Sequence, residues 1–111
     1  MALPLIMEQT FKTFTEFYPF YLGEHSKKGT RILHFIGTFL FFVFFVSLLF
    51  TGNSKLIAPT IITPYAFAWV GHFFVEKNKP ATFKYPLFSL CGDFRLFFEL
   101  LIGKQKFNPT K

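Results

Sequence analysis

Cysteine is nearly absent. Cys91 stands alone among 111 residues, which excludes a disulfide framework and any CxxC metal or redox motif. Acidic side chains are also scarce, six against twelve Lys and Arg. Charged residues together reach only 16%, well under the roughly 25% of an ordinary soluble domain. The opening stretch Met1 to Met7 is apolar but carries no basic flank and no long hydrophobic stretch, so it does not read as a cleavable signal. No internal repeat or low-complexity linker divides the chain, and its length fits a single domain over residues 1–111.

What fills the chain instead is hydrocarbon. Hydrophobic residues make up 51%, with 20 phenylalanines, more large aromatics than a soluble fold of this size can bury. Two runs carry no formal charge: Ile32 to Phe50, 19 residues, and Leu56 to Val75, 20 residues. Each is long enough as a helix to cross a hydrocarbon layer of roughly 30 Å. Only Thr51, Gly52, Asn53, Ser54 and Lys55 separate them, so the two form a tight hairpin. The sequence therefore predicts a small all-α bundle embedded in a lipid bilayer, with about four helices around a central transmembrane hairpin.

Helix signals give the boundaries. Residues 5–21 place Phe11, Phe14, Phe17 and Tyr18 on one face and Glu8, Lys12 and Glu16 on another, the pattern of an amphipathic interfacial helix ended by Pro19 and Gly23. Thr30 is the expected N-cap of the first span, 30–51. The second span covers 56–76, and Pro64 is expected to kink it or break its start. The fourth helix, 83–102, holds Asp93, Arg95 and Glu99. It is therefore expected to be partly buried or to cross only part of the membrane, with Arg95 and Glu99 paired at i,i+4.

The net charge of +6 matters mainly through its placement. Lys27, Lys28 and Arg31 precede the first run, and Lys77, Lys79 and Lys84 follow the second; the turn holds only Lys55. The positive-inside rule puts the basic side toward the cytoplasm. These cations are separated by apolar spans, which argues against a nucleic-acid stripe and for no nucleic-acid partner.

All three histidines fall on that basic side. His25 and His34 flank the entry to the first span, and His72 sits near the exit of the second, with Glu76 one helical turn on. His25 and His34 are nine residues apart, opposite faces of one straight helix, but a break at Gly29 lets both turn toward His72. Each imidazole alone could simply sit at headgroup level. Their common location favours a metal site, and imidazole with carboxylate suits iron, zinc, nickel or copper alike. Asp93 is either a fourth ligand, an acceptor behind the ligands, or the partner of a nearby Lys or Arg. Cys91 reads as a small core residue, and Tyr18, Tyr21, Tyr65, Tyr85 and Trp69 as an interfacial aromatic belt.

The segment Tyr21-Leu-Gly-Glu-His25, then His34, then Gly71-His72-Phe-Phe-Val-Glu76-Lys77-Asn-Lys-Pro80-Ala81 resembles the signature of the Mpo-type family. The likeness covers roughly residues 17–97. Its fungal member is a membrane-bound Fe(II)-dependent dioxygenase that removes one carbon from a 2-hydroxy fatty acid. The resemblance implies that His25, His34 and His72 bind iron and that Glu76 is a catalytic carboxylate, as ligand or orienting group. It further implies that a 2-hydroxy fatty acid and dioxygen are the substrates, the acyl chain lying among the phenylalanines. Lys27, Lys28, Arg31, Lys77 and Lys79 become candidates to attract the substrate carboxylate. A zinc-dependent lipid hydrolase, or a non-catalytic membrane protein with a structural metal clip, are the alternatives from other classes. On the orientation, a protease or tag assay at Lys55 is expected to find the turn on the non-cytoplasmic side; cytoplasmic exposure of Lys55 reverses it.

Overall fold

The computed structural model describes residues 10–110, and everything in that stretch is helix, turn or loop. Four α-helices follow one another: α1 (Phe14–Gly23), α2 (Lys28–Thr51), α3 (Ile57–Val70) and α4 (Pro86–Leu101). A 3₁₀ turn (Ser54–Leu56) leads into α3, a π-helical turn (Gly71–Glu76) continues it, and a second 3₁₀ turn (Ala81–Phe83) precedes α4.

The predicted hairpin is the backbone of the molecule. Helices α2 and α3 run antiparallel with the most extensive contact of any pair. They cross closest at Gly37, where an added Cβ would lie 2.8 Å from Phe67 Cβ and 3.2 Å from the Pro64 carbonyl oxygen. Gly52, in the left-handed region at φ +64°, closes the C-terminus of α2. Pro64 lies inside α3 without ending it. The helix runs through the proline, so the predicted break at that point does not occur.

Helix α2 starts at Lys28, two residues before the predicted Thr30 cap, and Lys27 supplies no side-chain cap of its own. The acceptor comes from the far end of the hairpin. Glu76 Oε2 takes the Lys27 N–H at 2.6 Å and the Thr30 hydroxyl at 2.7 Å, and Oε1 takes the Ser26 hydroxyl at 2.8 Å. A carboxylate at a helix N-terminus satisfies an orphan donor and the dipole together. This contact binds the exit of one long helix to the entry of the other. The break in helical structure between His25 and His34 consequently falls at Ser26 and Lys27, and Gly29, where it was expected, is already helical.

Helix α1 differs from the expected 5–21. Residues 5–9 lie outside the described residues. From there the helix begins only at Phe14, with Thr13 as N-cap accepting from the Glu16 N–H at 3.2 Å. It passes through the exposed Pro19 and ends at Gly23. Phe17, Tyr18 and Tyr21 form its buried face and pack with Leu96 and Leu100 of α4. The tight point here is Gly92, whose absent Cβ would meet the Tyr21 ring at 2.9 Å.

Helix α4 carries the expected Arg95–Glu99 pair, 3.2 Å. The Arg95 guanidinium also lies 4.3 Å from the Tyr18 ring centre, and the Tyr18 hydroxyl donates to Glu99 at 2.5 Å. Tyr18 and Tyr21 are thus buried and bonded to carboxylates, which removes them from the aromatic belt. Cys91 is exposed and not a core residue.

Burial acts to raise the Glu99 carboxyl; bonds from Tyr18 and Arg95, with the charges of Arg95 and Lys104, outweigh it and hold the group below the usual range. A carboxyl depressed in the folded state stabilises the fold above its unfolded value and loses that contribution as pH falls through the folded one. The wild-type melting temperature is therefore expected to drop across this acid range, and Glu99→Gln to show a shallower drop. Equal slopes in thermal melts at stepped pH would contradict the assignment.

Candidate metal centre

Each of three elements delivers one imidazole to a common point. His25 is the second residue after α1, His34 sits in the second turn of α2, and His72 lies in the π turn that prolongs α3. All three are buried. Ring centres are 4.3 Å apart for His25 and His34, 4.6 Å for His25 and His72, and 5.6 Å for His34 and His72. One nitrogen from each ring lies within 4.8 Å of the others. The convergence required by the sequence argument is present.

The hydrogen bonds fix which nitrogen faces inward. His25 Nδ1 is 2.7 Å from the Tyr21 carbonyl, which can only accept, so Nδ1 carries the proton. His72 Nδ1 is 2.7 Å from Asn78 Oδ1. The Asn78 amide nitrogen donates to the Glu24 carbonyl at 3.1 Å and to Glu24 Oε2 at 3.3 Å. That settles the amide orientation and makes His72 Nδ1 the donor. His34 Nδ1 faces Asp93 Oδ1 at 3.5 Å and the Tyr21 hydroxyl oxygen at 3.4 Å. The Tyr21 O–H is itself committed to Asp93 at 2.5 Å, which leaves the Tyr21 oxygen free to accept from the ring when Nδ1 carries its proton.

With every Nδ1 protonated, a neutral set presents three Nε2 lone pairs inward. His25 Nε2 and His34 Nε2 are 3.0 Å apart, a spacing that an N–H···N hydrogen bond between the rings fits and that two lone pairs directed at one cation fit equally. Burial and the neighbouring rings hold the His25 imidazole well below its usual pKa, so it stays neutral. The three rings are placed so that they could hold one cation. Two nitrogens each about 2.1 Å from one ion at about a right angle are separated by about 3.0 Å. Imidazoles oriented through their second nitrogen by a carbonyl, an amide and a carboxylate are the usual support of a metal ligand set. The donor set fits a transition metal, and nothing in it selects iron over zinc.

The other predicted site residues are placed as follows. His72 and Glu76 do share a face, one turn apart, and both address the α1–α2 junction. Glu76 engages Ser26, Lys27 and Thr30, however, and lies outside the group of converging ligand atoms. Its geometry is that of a clamp on the segment carrying His25. Asp93 accepts from Tyr21 behind His34. Burial raises its carboxyl to about 7 against the opposing effect of that bond. Among the five proposed carboxylate-binding cations, Arg31 is buried and already committed. Its Nε donates to the His25 carbonyl at 2.7 Å and Nη1 to the Lys106 carbonyl at 2.9 Å. Lys27 Nζ donates to the Val75 carbonyl at 3.2 Å. Lys28, Lys77 and Lys79 are exposed. None of the five lines the recess at the histidines.

Sequence reasoning passed over Tyr21 and Asn78 as parts of this site. Both had a signal. Tyr21 lies four residues before His25, the spacing that lets its carbonyl meet the ring, and Asn78 lies inside the same short segment as His72 and Glu76. An apolar cavity of about 210 Å³ adjoins the recess, lined by His34, Thr38, Phe41, Pro64, Asp93 and Phe94 among others.

Comparison with protein families matches residues 11–105 to the Mpo1-like model, described as 2-hydroxy-palmitic acid dioxygenase Mpo1-like. No curated protein and no solved structure matches the chain.

Substitutions should separate these parts. His72→Ala is expected to weaken metal binding by more than about 100-fold and Asn78→Ala by about 10- to 100-fold. Glu76→Gln is expected to lower the melting temperature with a smaller loss of metal. Metal content by mass spectrometry beside thermal melts checks all three, and full occupancy in His72→Ala removes that ring from the ligand set.

Proposed function

The chain belongs to the Mpo1-like family, and on that footing we propose that it is a membrane-embedded dioxygenase that shortens 2-hydroxy fatty acids by one carbon, with Fe(II) held by His25, His34 and His72. The observation that carries this is the inward set of three Nε2 atoms, each ring fixed by an oxygen acceptor on its other nitrogen.

The overall reaction balances without an outside reductant. A 2-hydroxy acid and one dioxygen give the acid shorter by one carbon, carbon dioxide and one water. The bond between the carboxyl carbon and the hydroxyl-bearing carbon breaks, and the four electrons released reduce the dioxygen. When bound, Fe(II) would supply dioxygen activation and a point of chelation for a carboxylate and its neighbouring hydroxyl.

The protein's own residues supply position and exclusion of water. The 210 Å³ cavity shares His34, Tyr65, Ala68 and Asp93 with the histidine recess. An acyl chain laid between α2, α3 and α4 therefore ends with its polar head beside the imidazoles. Phe41, Pro64 and Phe94 give the chain an apolar wall, and each methylene moved from water into it contributes about 0.8 kcal/mol.

Insertion in a bilayer is supported by the surfaces of the long helices. The spans Lys28–Thr51 and Ser54–Glu76 have only 17% and 22% of their most apolar windows buried within the molecule, whereas a soluble core helix is mostly buried. Phe39, Leu49, Phe50, Ile61 and Ile62 lie on the outside, an apolar surface suited to lipid. Arrival of the substrate through the lipid phase follows naturally from this surface.

Protein purified gently and loaded with Fe(II) is expected to consume one dioxygen per carbon dioxide released on 2-hydroxypalmitic acid, and to do nothing to palmitic acid. Zinc retention with ester or amide turnover would instead identify a hydrolase. Stable metal without turnover of either kind would identify a structural clip.

A further inference from the structure

Among the described residues, one buried side-chain oxygen has no hydrogen-bond partner: Ser89 Oγ. Ser89 is 2% exposed. Burying a hydroxyl unpaired costs free energy that an alanine in the same place would not, and orphaned groups of this kind are uncommon in folded proteins. The position of this one is specific. Ser89 lies in the first turns of α4, four residues before Asp93, and lines the same recess as His25, His34 and His72.

The polar groups nearest the imidazoles are occupied, while Tyr65, Trp69 and Thr82 line the rest of the recess. Tyr21 donates to Asp93, the three Nδ1 atoms face their oxygen acceptors, and Asn78 is bonded at both ends of its amide. The cations expected to meet a substrate carboxylate do not reach the recess. A carboxylate head arriving there would meet Ser89 Oγ, the buried oxygen left without a partner.

Resting on the function proposed above, we propose that the Ser89 hydroxyl is a substrate-positioning donor, which binds a carboxylate oxygen of the 2-hydroxy acid and so sets the head of the acid against the imidazoles. The serine is a binding group and takes no part in the metal's ligand set. Its orphan state in the free protein is the counterpart of its partner in the complex.

The test compares Ser89→Ala with wild type, both loaded with Fe(II) and held without oxygen so that nothing turns over. The probes are 2-hydroxypalmitic acid and the 1,2-diol of equal chain length, which keeps the hydroxyl and lacks the carboxylate. Ser89→Ala is expected to retain its metal and to melt at or above the wild-type temperature in the absence of ligand, because an unpaired buried hydroxyl has been removed. Affinity for the hydroxy acid is expected to fall at least about tenfold, the usual scale for a bond to a charged acceptor, with the diol unchanged. With oxygen restored, the loss should appear in KM more than in kcat. Ser89→Cys, a weaker donor in a similar volume, should fall between the two. Unchanged affinity of Ser89→Ala for the hydroxy acid, while wild type binds it, overturns this inference and leaves the functional proposal standing. A lowered melting temperature with equal losses for acid and diol also overturns it, by identifying Ser89 as structural. Wild-type protein that binds neither probe overturns the functional proposal and this inference with it.

Discussion

An imidazole can offer a lone pair to a cation only when its remaining proton has somewhere else to go. That constraint organises this molecule. The Tyr21 carbonyl, Asn78 Oδ1 and the Asp93–Tyr21 pair each stand behind one ring, and each comes from a different part of the chain. The Tyr21 carbonyl meets His25 across one turn at the end of α1, Asp93 requires α1 to pack on α4 with Gly92 against the Tyr21 ring, and Asn78 requires the reversal after the π turn. The helices are arranged such that the ring nitrogens are told apart, and the bundle is the device that does it.

The two long helices would be inadequate for this alone. They bring His34 and His72 near one another but leave His25 on a separate segment. Glu76 holds that segment by serving as the cap that the sequence around Lys27 and Thr30 does not provide locally. Arg31 holds it from the other side through the His25 carbonyl. One contact is an anion at a helix start and the other a buried guanidinium on a carbonyl, so both draw strength from charge and neither needs extensive packing.

Much of this was legible in the sequence. Long uncharged runs and a five-residue connection leave little freedom, so the hairpin and the convergence of His25, His34 and His72 followed from periodicity and chain order. The pairing of Arg95 with Glu99 followed from helical spacing. What was not legible depended on partners distant in sequence. The start of α2 moved because its acceptor, Glu76, lies far along the chain. Tyr18 and Tyr21 looked like membrane-interface aromatics because composition does not reveal that Glu99 and Asp93 await them. Arg31 looked like a surface cation because its acceptors are carbonyl oxygens, which have no sequence signature. Asn78 and Ser89 are ordinary polar residues until the fold sets them beside the rings. The family match agrees with the resemblance carried by the His25, His34 and His72 segments, whose side chains are the ones brought together.

Arg31 also spans a longer distance than its role near the histidines suggests. Its guanidinium holds the carbonyl of His25 with one nitrogen and the carbonyl of Lys106 with another. The stretch beyond α4 is thereby tethered to the segment that carries His25. Loosening the segment around Lys106 would be felt as a slackening of one imidazole, so a disturbance well away from the histidines would still reach their meeting point.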